Sequence, residues 1–348
     1  MVAESRILLP DPAGIAAAVA LLRAGGLVAV PTETVYGLAA RADDGAAVAG
    51  IYATKARPSF NPLIVHVADV RQAQTLAEFS PLALALADAF WPGPLTLVLP
   101  RRADAPVAAL VTAGLETIAL RCPAHPVMQA LVREVGPLAA PSANASGRIS
   151  PTRAEHVLAG LAQVPVIDAG PCAAGVESTI VAVEGMRWRL LRPGAVAVEV
   201  IAQAAPLPPR DARFDLSPAG RGEEKESPLP AGERSRDGVA GPGAGLQPAE
   251  GIIAPGMLAS HYAPHQPVRL NAATAQPHEF HIGFGAITGA ANLSPSGDLS
   301  EAAARLFDLL HTAQASGRTA IAVAPVPQHG LGAAINDRLA RAAAPRAL

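Results

Sequence analysis

Four groups of residues in this chain combine side-chain type and spacing in ways that could do chemistry. Lys55 and Arg57, separated by one alanine and followed by Pro58, bring two cations together, and Lys55 is one of only two lysines in the chain, the other being Lys225. Fixed cations this close suit a polyphosphate, whose transfer chemistry depends on positioning and charge neutralisation. A solvated helix end would use the same residues. Ser142 and Asn144, with Ser146 and Gly147 behind them, form a run of small residues with hydroxyl and amide donors. Such a run lets phosphate oxygens approach closely, or simply makes a turn. His66, Thr117 and Arg121 fall on expected strands. Arg121 could clamp a carboxylate in a forked pair contributing about 1.5–3 kcal/mol, or it could pair with a structural carboxylate such as Glu177. The fourth group, Glu177, Ser178 and Thr179, precedes a strand and means little by itself. Upstream of all four, Thr32, Glu33 and Thr34 cluster against a Tyr-Gly turn.

Several common chemistries find no support. There is no GxxxxGK[ST] loop and no dinucleotide fingerprint. Cys122 and Cys172 sit among apolar residues and prolines, too few for a disulfide framework and without metal-ligand spacing, so both read as reduced core residues. His261 and His265 are four apart, but Pro264 breaks the helix that a metal-binding pair would need. No protein metal cluster is expected.

The elements that must position these groups follow from capping and periodicity. Asp11 and Pro12 start a helix that Gly25-Gly26 ends. An apolar run over 27–30 predicts a buried strand. A helix is predicted over 46–55, with Val48, Ile51 and Tyr52 on one face and Pro58 forcing its end. Residues 63–67 alternate as a strand, Leu63, Val65 and Val67 on one side and Ile64 and His66 on the other. Further strands are expected over 95–99, 117–121, 138–140, 164–167, 179–183 and 187–191, with helices over 81–90 and 126–135. After a stretch rich in Pro, Gly and charge, the chain resumes as a small βαβα unit, with strands over 268–270, 280–284 and 319–324 and helices over 299–315 and 332–343. The class is α/β (α+β).

Composition sets the outer limits. Half of the 348 residues are hydrophobic, 16% are charged and 3% are aromatic, so Ala, Val and Leu must build the core. A formal net charge of −2 without a dense Lys/Arg run argues against nucleic-acid binding driven by phosphate neutralisation, although a local basic groove stays open. Residues 14–22 imitate a signal-peptide core, but Glu4 and Asp11 flank them where such a signal wants positive charge. No run reaches the roughly 18 apolar residues that a membrane span needs, so a soluble, cytoplasmic protein is expected.

Taken together, PTETVYGL, KARP with NPLIVHV, FWPGPLTLVL, ALRCPAH, PSANASGRISPT, ESTIV and LRPG resemble, in order over about residues 15–195, the threonylcarbamoyl-AMP synthase family (YrdC/Sua5). APGMLASHYAP and GLGAAINDRLARAA resemble its two-domain Sua5 type. The resemblance implies a YrdC-like twisted mixed sheet with flanking helices over 1–203, a flexible linker over 204–250, a lid over 251–266 and a smaller Rossmann-like α/β domain over 267–348. It also implies a nucleotidyltransferase that makes threonylcarbamoyl-AMP and pyrophosphate from L-threonine, bicarbonate and ATP with Mg²⁺ brought by the ATP. A separate tRNA threonylcarbamoyl-transferase would use the product on adenosine 37 of tRNAs reading ANN codons. The family's catalytic tetrad falls on Lys55, Arg57, Ser142 and Asn144. Threonine contacts fall on Thr34, His66, Arg121, Ser142 and Ser178, and ATP contacts on Arg57, Asn61, Thr117, Asn144, Thr152, Arg192 and Tyr262. Two other readings stay in view. One is carbamoyl-adenylate formation, as in hydrogenase-maturation carbamoyltransferases, whose acylphosphatase and zinc-finger modules this sequence does not show. The other is a non-catalytic RNA-binding factor.

Overall fold

The computed structural model describes residues 6–205 and 261–345. Most of the expected linker (204–250) and the first ten residues of the expected lid (251–266) therefore lie outside the described residues.

Local chemistry explains the elements that frame the site. The Asp11 carboxylate accepts from the Gly14 amide at 2.8 Å and caps α1 (Pro12–Arg23). Strand β1 (Ile7–Leu8) precedes it, and β2 (Val28–Val30) and β3 (Gly37–Arg41) form an antiparallel pair after it. Asp44 caps α2 (Gly45–Lys55) by accepting from the Ala46 and Ala47 amides, both at 3.0 Å. That helix stops where Ala56 enters the left-handed region at φ 48°. The Arg57 amide then donates back to the Tyr52 carbonyl at 2.9 Å, a helix-ending bond that turns the Lys-x-Arg pair out of the helical path. Next come β4 (Ile64–His66), α3 (Val70–Gln74), α4 (Pro81–Phe90), β5 (Leu95–Pro100), α5 (Ala109–Thr112) and β6 (Thr117–Arg121). Helix α6 (Pro126–Val135), β7 (Leu138–Ala139), α7 (Ala154–Gly160), β8 (Val166–Ile167), β9 (Thr179–Glu184), β10 (Arg187–Arg192) and α8 (Val198–Ala204) complete the first unit.

Its ten strands form one mixed sheet in the order β1-β8-β2-β3-β7-β4-β6-β5-β9-β10. Leu63, Val65 and Val67 pack with Val48, Ile51 and Tyr52 of α2 in the largest core. Ile64 lies on the opposite side with Val98, Ala119 and Ile180. The parallel pairing of β4 with β6 sets His66 opposite Arg121, so strand register alone makes these two candidate residues neighbours. Helices α1 and α6 cover β2, β3 and β7 through Leu22, Met128 and Leu131.

The second unit is a four-stranded parallel sheet in the order β11-β14-β12-β13, built from β11 (Val268–Arg269), β12 (Glu279–Gly283), β13 (Ala291–Asn292) and β14 (Ala320–Val323). Helices α9 (Leu299–Ala315) and α10 (Leu331–Ala343) flank it. Its core does not stop at its own border. Val35, Ile149 and Val176 from the first unit pack in one cluster with Tyr262, Leu306, Phe307 and Ile335. The two units are therefore joined by shared apolar burial beside the candidate site.

Seven elements absent from the sequence reading appear here: β1, β3, α3, α5, α7, α8 and β13. Residues 38–40 in β3 are small and apolar and buried on both faces between β2 and β7, so they carry no alternation to read.

Candidate active site

The candidate site is a cleft enclosing about 570 Å³, part of it open to solvent. Its walls come from the PTET turn, β4, the end of β6, the loop after β7, the turn into β9, the end of β10, and the segment entering the second unit. Thr34, Arg57, His66, Arg121, Ser142, Ser178, Arg192 and Tyr262 line it. Three more expected residues stand directly behind these. Lys55 Nζ donates to the carbonyls of Ser142 and Asn144. Arg57 donates to Asn61 Oδ1 at 2.6 Å, and the Asn144 amide donates to the Ser142 carbonyl at 3.0 Å. Two expected residues sit apart from the lining. Thr152 is buried against the His156 ring, and Thr117 opens β6 opposite Pro100, at the end of the strand away from Arg121.

One side of the cleft is built to take a carboxylate and hydroxyls. Arg121 Nη1 donates to Thr34 Oγ1 at 2.9 Å, and Nη2 donates to Glu33 Oε1 at 2.6 Å. The Ala124 amide steadies the other Glu33 oxygen at 3.1 Å. Burial alone would raise the Glu33 carboxyl, but the charge and hydrogen bond of Arg121 outweigh it and hold the group below its ordinary value. This corrects the alternative reading of Arg121: its carboxylate is Glu33, whereas Glu177 pairs with Arg338 at 2.8 Å. Ser178 Oγ shares a 2.7 Å hydrogen bond with Thr96 and accepts from Arg192 at 3.2 Å. His66 is 3% exposed. Burial, reinforced by the Arg121 charge, pushes it down to about 3, so it is neutral at ordinary pH.

The other side gathers cations. Burial lowers Arg57 to about 10 and also lowers Arg192. Lys55, 2% exposed, is pushed well below its usual value by burial and then by the Arg57 charge. His261 is depressed by burial and by Arg57 and Lys55. Arg57, Arg192 and Lys55, buried basic groups each held below its ordinary value, form a site that gains stability when an anion enters. Polar atoms await a partner as well: Asn61 Nδ2, Asn144 Oδ1 and His261 Nδ1 are buried without a hydrogen-bond partner among the described residues.

Tyr262 closes the cleft from the second unit's side. It is 1% exposed, takes φ 61°, and packs against Phe307 with the rings tilted by 34° and centroids 5.5 Å apart. The neighbouring Ala263 amide donates to the Gly147 carbonyl at 2.9 Å. Sequence reasoning passed over Glu33 as the partner of Arg121, and it did not weigh His261 or Arg338 as parts of the site. A signal for Arg338 did exist: Ile335, Arg338, Leu339 and Ala342 share one helical face, so the arginine occupies an apolar position. Among the described residues no group of His, Cys, Asp and Glu could hold a metal ion, and no helix is long and apolar enough to cross a membrane.

Comparison with known proteins matches these features. A family model described as "Telomere recombination" covers residues 20–194, and one described as "Threonylcarbamoyl-AMP synthase, C-terminal domain" covers 234–344. The second begins inside the stretch expected to be linker. The threonylcarbamoyl-AMP synthase of Bacillus subtilis (strain 168) is 39% identical over 96% of this chain and 94% of its own length. That of Pyrococcus abyssi (strain GE5 / Orsay) is 47% identical over 53% of this chain and 55% of its own length. The crystal structure of P. abyssi Sua5 complexed with L-threonine superposes with a TM-score of 0.77 at 33% identity, covering 96% of this chain and 95% of that one. The chain belongs to the threonylcarbamoyl-AMP synthase family, in its two-domain form.

Proposed function

We propose that this chain joins L-threonine, bicarbonate and ATP into L-threonylcarbamoyl-adenylate and releases pyrophosphate. A downstream tRNA threonylcarbamoyl-transferase would then carry the group to adenosine 37 of tRNAs reading ANN codons in the cytoplasm. The observation that carries this reading is a single cleft with two chemically different sides, one lined by Arg121, Thr34, His66 and Ser178 and the other by Arg57, Arg192, Ser142 and Tyr262.

On the first side the Arg121 guanidinium takes the threonine carboxylate, and the Thr34 and Ser178 hydroxyls meet its side-chain hydroxyl and amine. Neutral His66 keeps a further positive charge away from the amine, which must be unprotonated to react. The amine attacks CO₂ drawn from bicarbonate and loses a proton, giving a carbamate. A carbamate oxygen then attacks the α-phosphorus of ATP, and the bond to the bridging oxygen breaks with pyrophosphate leaving. Two anions must meet in this step. Arg57, Arg192 and Lys55, already buried and fixed, lower that repulsion without reorganising. Asn61 Nδ2 supplies a buried donor for phosphate oxygen.

The donor set suits Mg²⁺ that arrives with ATP, held by phosphate oxygens and water, with Asn144 Oδ1 as a free protein acceptor. When bound, the ion supplies charge neutralisation on the phosphates. Residues 1–203 act as the catalytic domain, and Tyr262, from the described end of the expected lid, keeps water from the mixed anhydride. Residues 267–348 form the C-terminal domain that backs the lid. Pyrophosphate release from ATP and bicarbonate, measured with and without L-threonine, tests the reading. Release that does not depend on threonine contradicts it.

A further inference from the structure

The second unit does more than back Tyr262. From α10, the Arg338 side chain crosses into the first unit and is fully buried, 0% exposed. Its Nε donates to Glu177 Oε2 at 2.8 Å. Its Nη1 donates to the Pro193 carbonyl and to Asp337 Oδ2, at 2.8 and 2.7 Å. The guanidinium carbon stands 5.2 Å from the centre of the Tyr262 ring. Glu177 and Pro193 are the immediate neighbours of Ser178 and Arg192, the cleft residues just before β9 and at the end of β10. One arginine therefore touches the anchor points of both strands and the face of the lid tyrosine.

The backbone is shaped for this approach. Gly175, two residues before Glu177, takes φ 66°, and a Cβ there would stand 2.4 Å from Ala304 Cα of α9. Gly194, directly after Pro193, leaves no room for a Cβ against the Glu177 carbonyl, 2.4 Å away. The loops carrying Glu177 and Pro193 are thus pressed against each other, and the Glu177 loop is pressed against the second unit. Glu177 itself lines the cleft, and its other oxygen accepts from Ser150 at 2.6 Å.

We infer that Arg338 is a positioning residue for the nucleotide, acting by neutralising Glu177 so that this carboxylate neither captures Arg192 nor repels the triphosphate. The inference deepens the proposed reaction and rests on its assignment of the nucleotide to the Arg57 and Arg192 side. Without Arg338 a buried carboxylate stands bare in the wall of a site for an anion. Replacing Glu177 at the same time removes that carboxylate, so the second substitution should restore what the first loses. A residue that merely holds the fold together would show this pattern in thermal stability and not in the Kd of folded chains.

The test is calorimetric binding of a non-hydrolysable ATP analogue to the full chain. Arg338→Gln should weaken the Kd by at least about tenfold. The double variant, Glu177→Gln with Arg338→Gln, should return to within about threefold of the parent chain. A double variant as weak as Arg338→Gln, or an Arg338→Gln chain that binds as tightly as the parent, overturns the inference. Should Arg338→Gln fail to fold, Arg338→Lys keeps the charge beside Glu177 while losing the fork that spans Glu177 and Pro193, and its Kd should stay within about threefold of the parent. A Kd weakened about tenfold or more there, with the charge retained, overturns the inference equally. Analogue binding is read without threonine or turnover. A parent chain that binds the analogue but releases no threonine-dependent pyrophosphate therefore refutes the reaction and leaves this test standing.

Discussion

Replacing Lys55 with alanine should separate the structural duty of this side chain from the catalytic one proposed for it. Its Nζ donates to the Ser142 and Asn144 carbonyls, and its own carbonyl accepts from the Ser146 amide at 2.8 Å. Removing the ammonium leaves two buried carbonyls without a donor, at about 1–3 kcal/mol each. Part of that cost is offset, because a buried ammonium is itself unfavourable here, as its depressed pKa records. A net loss of about 2–3 kcal/mol follows, lowering Tm by roughly 5–10 °C in a catalytic domain of this size. The chemical loss is separate. A fixed charge acting where carbamate meets α-phosphate contributes about 1.4 kcal/mol for every tenfold in rate, and we expect kcat to fall at least about tenfold. Lys55→Met keeps most of the stem and should recover part of the stability but none of the rate. Pyrophosphate release and thermal unfolding on the same preparations give both numbers. A folded Lys55→Ala chain with the parent kcat would refute the argument and reduce Lys55 to a tie for the PSAN loop.

Two other outcomes follow from the opposite side of the cleft. Arg121→Gln should raise the KM for threonine about tenfold or more, from loss of a charge-assisted pair of about 1.5–3 kcal/mol, and leave the KM for ATP nearly unchanged; a rise confined to ATP in steady-state kinetics would contradict the placement. His66 has a folded-state value of about 3, below the ordinary value of 6.5. Over the interval between them the unfolded chain holds a proton that the folded chain refuses. Stability therefore falls as pH drops from about 6.5 toward 3, by as much as about 4 kcal/mol. Urea unfolding against pH should show a shallower acid slope for His66→Gln, and parallel slopes would sink the assignment.

What the sequence made legible was local. The cap at Asp11 marked the start of α1, the shared face of Val48, Ile51 and Tyr52 marked α2, and the alternation over 63–67 placed His66 on the side opposite Leu63 and Val65. Candidate residues on such elements, His66 and Arg121 among them, came with their strand and its face. Legibility failed where contacts join residues distant in sequence. Nothing near Arg121 distinguishes Glu33 from Glu177 as its partner, because that choice depends on how the PTET turn lies over β6. Arg338 lies 161 residues beyond the carboxylate it neutralises, and only its place on an apolar helix face hints at burial. Thr117 shows the converse: it shares a face of β6 with Arg121, yet it opens the strand that Arg121 ends, opposite Pro100 and apart from the cleft lining.

The central claim is that one cleft brings a threonine carbamate to the α-phosphate of ATP. It is tested most directly by supplying ¹³C-bicarbonate with ATP and L-threonine and weighing the adenylate product. The account predicts a threonylcarbamoyl-adenylate one mass unit heavier than the unlabelled compound, formed together with pyrophosphate. An unlabelled threonyl-adenylate, or AMP and pyrophosphate with no carbon label in any threonine-containing product, would contradict it.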